Sequence, residues 1–170
     1  MAFVLETGAG LANSNGYLTH TEADAYFVDH GAPADWTGTQ AQKESAIQLS
    51  TQYVDAVYHH AWKGDKRLST QALDWPRVDV EDENGWPIAS DIVPQRLKDA
   101  VAELALRVLQ GDTLVPDIEN PATLGREAVQ VGPISIDQTF LGGQSQVKRY
   151  RLVDLLLADL ITDSDALIRA

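Results

Sequence analysis

Residues 71–77, Gln-Ala-Leu-Asp-Trp-Pro-Arg, hold the strongest local restriction on the backbone of this chain. The ring of Pro76 fixes its own φ and moves the preceding Trp75 out of the helical region. We therefore expect a rigid, non-helical strut between two helical stretches. Trp75 supplies a large apolar surface and Arg77 a planar fork of five donors. With no nucleophile, base or metal ligand set beside them, we interpret Trp75, Pro76 and Arg77 as a structural anchor, a buried tryptophan next to a surface arginine.

Two helices are predicted before this strut. The first opens at Thr21, a candidate N-cap followed by acidic residues, and ends near His30. The second opens with Thr39 and Gln42, which have the spacing of a capping box. Apolar residues recur at helical intervals after Gln42, so this helix is expected to bury one broad face.

Two more helices are predicted after the strut. Pro94 suits the first position of the third helix, and Gly111 is a natural stop for it. The fourth helix is expected over residues 150–161, with leucines along one side. The sequence therefore predicts a mainly α protein, a small helical bundle.

The pattern changes after residue 115. Prolines and a glycine interrupt residues 116–125, and residues 129–136 alternate with period two around Gly132-Pro133. We expect a helical core over residues 1–115, with an extended, flexible N-terminal segment, and a C-terminal arm over 116–170. The arm should contain a short β element, with Gly142-Gly143 as a candidate turn, and end in the terminal helix. We expect it to be dispensable for folding and required for assembly.

The charge restricts the function. Lys and Arg number 13 and Asp and Glu 25, which gives a formal net charge of −12. Affinity for nucleic acid comes largely from phosphate neutralisation, so its binders usually carry a basic footprint. Avid, sequence-independent binding of single-stranded DNA by the whole surface is therefore not expected. No signal peptide, membrane span or cysteine is present in the sequence, so we expect no membrane partner and no thiolate metal site.

Motifs for enzymatic chemistry fail on spacing. Gly8-Ala9-Gly10 lacks the third glycine of a dinucleotide-binding loop, and His59-His60 are adjacent and point in different directions on a helix. The acidic stretch around Asp82 and Gly85 resembles a calcium loop, but its first position falls on Val80, which cannot ligate. We therefore predict no catalytic residue, no cofactor and no metal, and interpret the chain as a non-enzyme.

The charges of the fourth helix run against its macrodipole. The basic residues at its start are Lys148, Arg149 and Arg151, and the acidic residues near its end are Asp159, Asp163 and Asp165. The opposite order is favoured by roughly 0.3–1 kcal/mol per well-placed charge. Two interpretations remain open: a solvated charge run, or cations that face an acidic partner surface such as a neighbouring copy of this chain.

Four short motifs occur in a recognisable order and spacing: Gly8-Ala9-Gly10-Leu11-Ala12-Asn13 leading to Tyr17, Glu22-Ala23-Asp24-Ala25-Tyr26, Gln71 to Arg77, and Val93-Pro94 at the start of an Ala- and Leu-rich helix. Together they resemble the head–tail connector (adaptor) proteins of tailed phages. Many members of that family carry the label DnaT-like single-stranded DNA-binding protein. The resemblance covers about residues 8–114 and continues more loosely through 131–134.

The resemblance implies a structural virion protein in the phage neck, present in the host cytoplasm during assembly. Such connectors form a ring of neighbouring copies, commonly dodecameric, beneath the portal protein and above the next neck or tail component. DNA passes through the lumen without specific binding, and we expect carboxylates to outnumber cations there. The family's C-terminal portion usually reaches the portal. Carried over to residues 147–161, this nominates as portal or neighbour interface Lys148, Arg149, Arg151, Leu152, Leu155 and Leu156.

A rival hypothesis takes the family label literally. A DnaT-like single-stranded DNA-binding protein needs a basic groove with exposed aromatic side chains on which bases stack. The sequence offers one candidate patch, made of Trp62, Lys63, Lys66, Arg67, Trp75 and Arg77. A third possibility is a host enzyme of unknown type, for which no site is found.

Overall fold

The computed structural model describes residues 2–114, 126–131, 134–139 and 150–162. Within these ranges the chain is mainly α, as predicted, with four α-helices and two small antiparallel sheets. The elements in chain order are α1 His20–Asp29, α2 Gln40–Tyr58, β1 Asp65–Lys66, β2 Arg77–Val78, α3 Gln95–Leu109, β3 Arg126–Val131, β4 Ile134–Thr139 and α4 Arg151–Leu157, which continues into a 3₁₀ turn at Ala158–Leu160. None of the helices in these ranges combines the length and the apolar character that crossing a bilayer requires.

α3 is the centre of the helical core. It packs against α2 on one side and α4 on another, and α1 contacts both α2 and α3. The apolar stripe predicted for α3 is buried, and Leu97, Val101 and Leu104 are fully inaccessible. Burial of this kind stabilises by about 1.5–3 kcal/mol per large aliphatic side chain.

The helix starts follow local capping chemistry. α2 begins with the predicted capping box, in which Thr39 and Gln42 satisfy each other's backbone N–H groups. The start predicted for α1 at Thr21 is wrong by two residues. Thr19 is the N-cap, because its hydroxyl accepts from the N–H of Glu22 and the Glu22 carboxylate accepts from the N–H of Thr19. Pro94 is the N-cap of α3 rather than its first helical residue.

The N-terminal segment is an ordered loop, contrary to the expectation of a flexible one. The buried carboxylate of Glu6 accepts hydrogen bonds from the backbone N–H groups of Gly8, Gly10 and Leu11 and from the hydroxyl of Ser14. These four hydrogen bonds to one carboxylate hold the loop in a single conformation, because a buried carboxylate is costly unless it is hydrogen-bonded. Gly8-Ala9-Gly10 therefore wraps a carboxylate of its own chain.

α4 belongs to the helical core, although the sequence placed it in an arm over residues 116–170. Val153 and Leu157 are buried, and the following residues Leu160 and Ile161 are buried as well. Backbone hydrogen bonds attach this end of the chain to the segment after α2, from Lys63 N–H to the Leu160 carbonyl over 3.0 Å. The unit that contains the helices accordingly comprises residues 1–114 and 150–169.

The second unit comprises residues 115–149 and residue 170. Within it, β3 and β4 pair antiparallel in a hairpin whose register places Val131 opposite Ile134 and Arg126 opposite Thr139. The short β element predicted from the alternation around Gly132-Pro133 is therefore present. The candidate turn at Gly142-Gly143 lies outside the described residues.

Candidate functional site

The strut at residues 71–77 enters the core through Trp75. This side chain is completely inaccessible, and its ring meets that of Trp62 edge to face, with centroids 5.9 Å apart. Trp62 is buried as well, with 4% of its surface accessible. Bases stack only on aromatic faces that solvent can reach. Neither tryptophan of the predicted DNA-binding patch can therefore act as a stacking platform in this conformation.

Arg77 is buried, which corrects the expectation of a surface arginine. Its guanidinium donates to the carbonyls of Lys63 over 2.7 Å and Gly64 over 2.5 Å, and to that of Asp74 over 3.3 Å. The short β1–β2 ladder beside it pairs Lys66 with Arg77. The guanidinium thus holds the turn after α2 in place, because its planar set of donors can bond several backbone carbonyls at the same time.

The cations of the same patch are also engaged within the protein. Lys63 donates to the carbonyl of Asp159 over 2.7 Å, and Arg67 to the carbonyl of Gly8 over 2.6 Å. Lys66 forms an ion pair with Asp74 at 3.3 Å. The structure therefore brings the six residues of the candidate patch into one region, where they pack against each other or join segments of the chain.

A buried polar network lies behind the strut. The hydroxyl of Tyr17 donates to Asp55 over 2.6 Å and accepts from the N–H of Trp75 over 3.1 Å. The second Asp55 oxygen accepts from the N–H of Asp74 over 3.1 Å. Burial raises the pKa of Asp55 to about 6; the Tyr17 hydrogen bond opposes this increase and the charge of Asp74 adds to it. The network holds the strut on α2.

An exposed tryptophan projects from a tight acidic turn at residues 81–87. Trp86 has 71% of its surface accessible. One oxygen of Asp82 accepts from the N–H groups of Asn84 over 2.8 Å and Trp86 over 2.9 Å, and Gly85 adopts a φ of +78°. These bonds give the turn a defined shape with Trp86 at its edge. Sequence reasoning treated this stretch only as a solvated acidic turn; an aromatic residue directly after Asn84-Gly85 was the available signal.

α4 has one face in the core and one in solvent. Leu152 and Leu155 are 48% and 52% exposed, although both are large and apolar, and Arg151 beside them is exposed. Leu156, which the sequence grouped with them, packs partly against the core. Lys148 and Arg149 lie outside the described residues. Among its described residues, the predicted interface is exposed at Arg151, Leu152 and Leu155, which we call the α4 face.

The acidic end of the α4 segment is compensated from within the protein. Arg96 of α3 forms an ion pair with Asp159 at 2.6 Å, and Asp159 is nearly inaccessible. Asp154, in the first turn of α4, accepts a hydrogen bond from Tyr58 of α2. The charge of Asp159 is therefore offset by Arg96, since an opposite charge in contact with it outweighs a screened dipole term.

Within the described parts of the chain, no group of three or more His, Asp or Glu side chains is arranged to hold a metal ion. Neither a curated protein nor a solved structure matches the chain. A family model described as "Putative DnaT-like ssDNA binding protein" matches residues 1–170. Since the match spans the complete sequence given, the chain belongs to this family of DnaT-like proteins.

Proposed function

We propose that the protein is a structural head–tail connector of a tailed phage, which forms a ring of copies beneath the portal protein and through which DNA passes. One contrast carries the proposal. The tryptophans and the arginine that a DNA groove would use are internal, whereas exposed apolar groups lie on the α4 face and at Trp86. Exposed apolar and aromatic groups suit a protein partner more than a phosphate backbone.

We place the portal contact in the second of the two units. The resemblance assigned residues 147–161 to portal docking, but residues 150–162 belong to the helical unit. In this proposal the separate unit, residues 115–149 with its β3–β4 hairpin, contacts the portal. The α4 face then remains available to a neighbouring copy.

Co-sedimentation with the cognate portal protein tests this function. We expect the full chain to co-sediment, and a variant whose residues 116–149 are replaced by a Gly-Ser linker to stay folded and lose the portal. Far-ultraviolet circular dichroism supplies the folding control. A full chain that does not associate with the portal under any salt condition would contradict the connector function.

A second candidate function is binding of single-stranded DNA, and the family description favours it. Because phosphate neutralisation releases counterions, such binding weakens steeply with salt. Fluorescence anisotropy with a labelled oligothymidylate separates the two candidates. The connector proposal expects no tight binding at physiological salt, since the net charge is −12 and Trp62, Trp75 and Arg77 of the predicted patch are buried. Tight, salt-sensitive binding would make DNA binding the better proposal.

A further inference from the structure

We propose that the acidic turn bearing Trp86 in one copy docks on the α4 face of the next copy, head to tail. This inference rests on the proposed function insofar as a ring needs a contact between neighbours. Its two halves are both exposed and both belong to the helical unit. The turn supplies one large aromatic side chain and three acidic residues, and the α4 face supplies two leucines beside an arginine.

Trp86 has the properties of an interface anchor. A tryptophan that is 71% exposed leaves a large apolar area in water, which a partner can cover. The hydrogen bonds from Asn84 and Trp86 to Asp82, together with the 2.9 Å bond from the N–H of Asp82 to the carbonyl of Trp86, fix the turn before any contact forms. A preorganised aromatic group loses little conformational freedom on binding, and such residues dominate interface energies.

The charges of the two surfaces are complementary. The turn carries Glu81, Asp82 and Glu83 in addition to Trp86, whereas the α4 face carries Arg151 next to its leucines. None of the side-chain ion pairs among the described residues involves Arg151 or the three carboxylates of the turn. Burying Trp86 against Leu152 and Leu155 would therefore bring acidic groups to Arg151, and charge complementarity of this kind fixes the orientation of a contact.

The two surfaces lie at opposite ends of the α4 segment. The Lys63 ammonium donates to the carbonyl of Glu81 over 3.3 Å and to that of Asp159 over 2.7 Å, so the acidic turn lies beside Asp159. Arg151 is the first residue of α4, and Asp159 lies in the 3₁₀ turn that follows the helix. Each copy thus has an acidic aromatic end and a basic apolar end. Contacts between unlike patches propagate from copy to copy and give a closed ring when the rotation closes.

Cysteine crosslinking tests the contact directly, because the chain contains no cysteine of its own. Chains with Asn84→Cys are mixed with differently tagged chains carrying Leu152→Cys, and disulfide-linked pairs are quantified after mild oxidation. The matched control pairs Asn84→Cys with Gln52→Cys, which is exposed on α2. We expect the α4 pair to exceed the control by at least about tenfold. Equal yields would overturn the proposal.

A complementation experiment tests the head-to-tail arrangement. Trp86→Ala removes the aromatic side chain of the turn, and Leu155→Asp places a charge on the α4 face. Both positions are exposed, so each variant should keep its fold, which circular dichroism verifies. At high concentration, sedimentation velocity should show species larger than dimers for the wild type, monomers for each variant alone, and only dimers for their mixture. A wild type that stops at dimers, or a mixture that stays monomeric, would contradict the arrangement.

The outcome is separable from the proposed function. Crosslinking and sedimentation need no portal, and portal co-sedimentation needs no cysteine. If the portal binds and the crosslink yield equals the control, the docking inference fails and the connector function stands. If the crosslink forms and the portal does not bind, the self-contact stands and the connector function fails.

Discussion

The hydroxyl of Tyr17 donates a hydrogen bond to Asp55 over 2.6 Å, and this bond joins the loop before α1 to α2. The same hydroxyl accepts from the backbone N–H of Trp75, so one tyrosine holds three separate segments together. Buried polar groups that are fully paired favour a single arrangement of a core. The strut is therefore positioned by a polar network as well as by the packing of its tryptophan.

Trp75→Ala is expected to destabilise the protein by about 3–5 kcal/mol, because it leaves a large cavity at a completely inaccessible position. Thermal or denaturant unfolding measures the change. Trp86→Ala is the matched control, since it removes the same side chain from an exposed turn and should change the free energy of unfolding little. Equal stability of Trp75→Ala and wild type would contradict the anchor interpretation.

Stability should fall as the pH rises from about 4 to above 6, through Asp55. Its folded-state pKa of about 6 exceeds its ordinary value of 3.8, so the folded protein binds this proton more tightly than the unfolded chain does. The contribution is fully present below pH 4 and is lost as the pH rises through 6, a loss of roughly 2–3 kcal/mol.

Asp55→Asn tests that prediction, because an amide does not titrate. The difference in the free energy of unfolding between wild type and variant should change with pH over this window, measured by urea denaturation at several pH values. Asp35→Asn, at an exposed position, is the control and should keep the wild-type dependence. An unchanged slope in Asp55→Asn would show that another group is responsible.

Thr19→Ala should destabilise the protein by about 1 kcal/mol, because it removes the oxygen that accepts from the N–H of Glu22. Thr21→Ala is the informative comparison, since Thr21 was the N-cap expected from the sequence and lies inside α1 in the structure. Its effect should be clearly smaller. The order of the two melting temperatures decides which threonine caps the helix.

Truncation after Val115 should destabilise the helical unit strongly. It removes Val153, Leu157 and Leu160 from the core, and loss of each large buried aliphatic group costs about 2–5 kcal/mol. Replacing only residues 116–149 by a Gly-Ser linker leaves that core complete and should preserve cooperative unfolding. Cooperative, wild-type-like unfolding after the truncation would restore the original boundary, in which residues 116–170 form a dispensable arm.

Much of the secondary structure could be predicted from the sequence, because it depends on interactions between residues close together in the chain. The capping box of Thr39 and Gln42 joins residues three apart, and the alternation around Gly132-Pro133 reports pairing within one hairpin. The stop of α3 near Gly111, which has a φ of +86°, is equally local. Such features depend on neighbours in sequence, so composition, spacing and periodicity are enough to predict them.

The corrected features depend on partners far away in the chain. Arg77 is buried because carbonyls 13 and 14 residues earlier accept from it, and α4 joins the core through Tyr58, 96 residues from Asp154. The sequence alone does not determine whether a given leucine or arginine is exposed to solvent or buried against another segment, because this depends on tertiary packing. Packing between distant segments determines which face of α4 is buried and leaves Trp86 exposed. For that reason the candidate interface could be identified only from the tertiary structure.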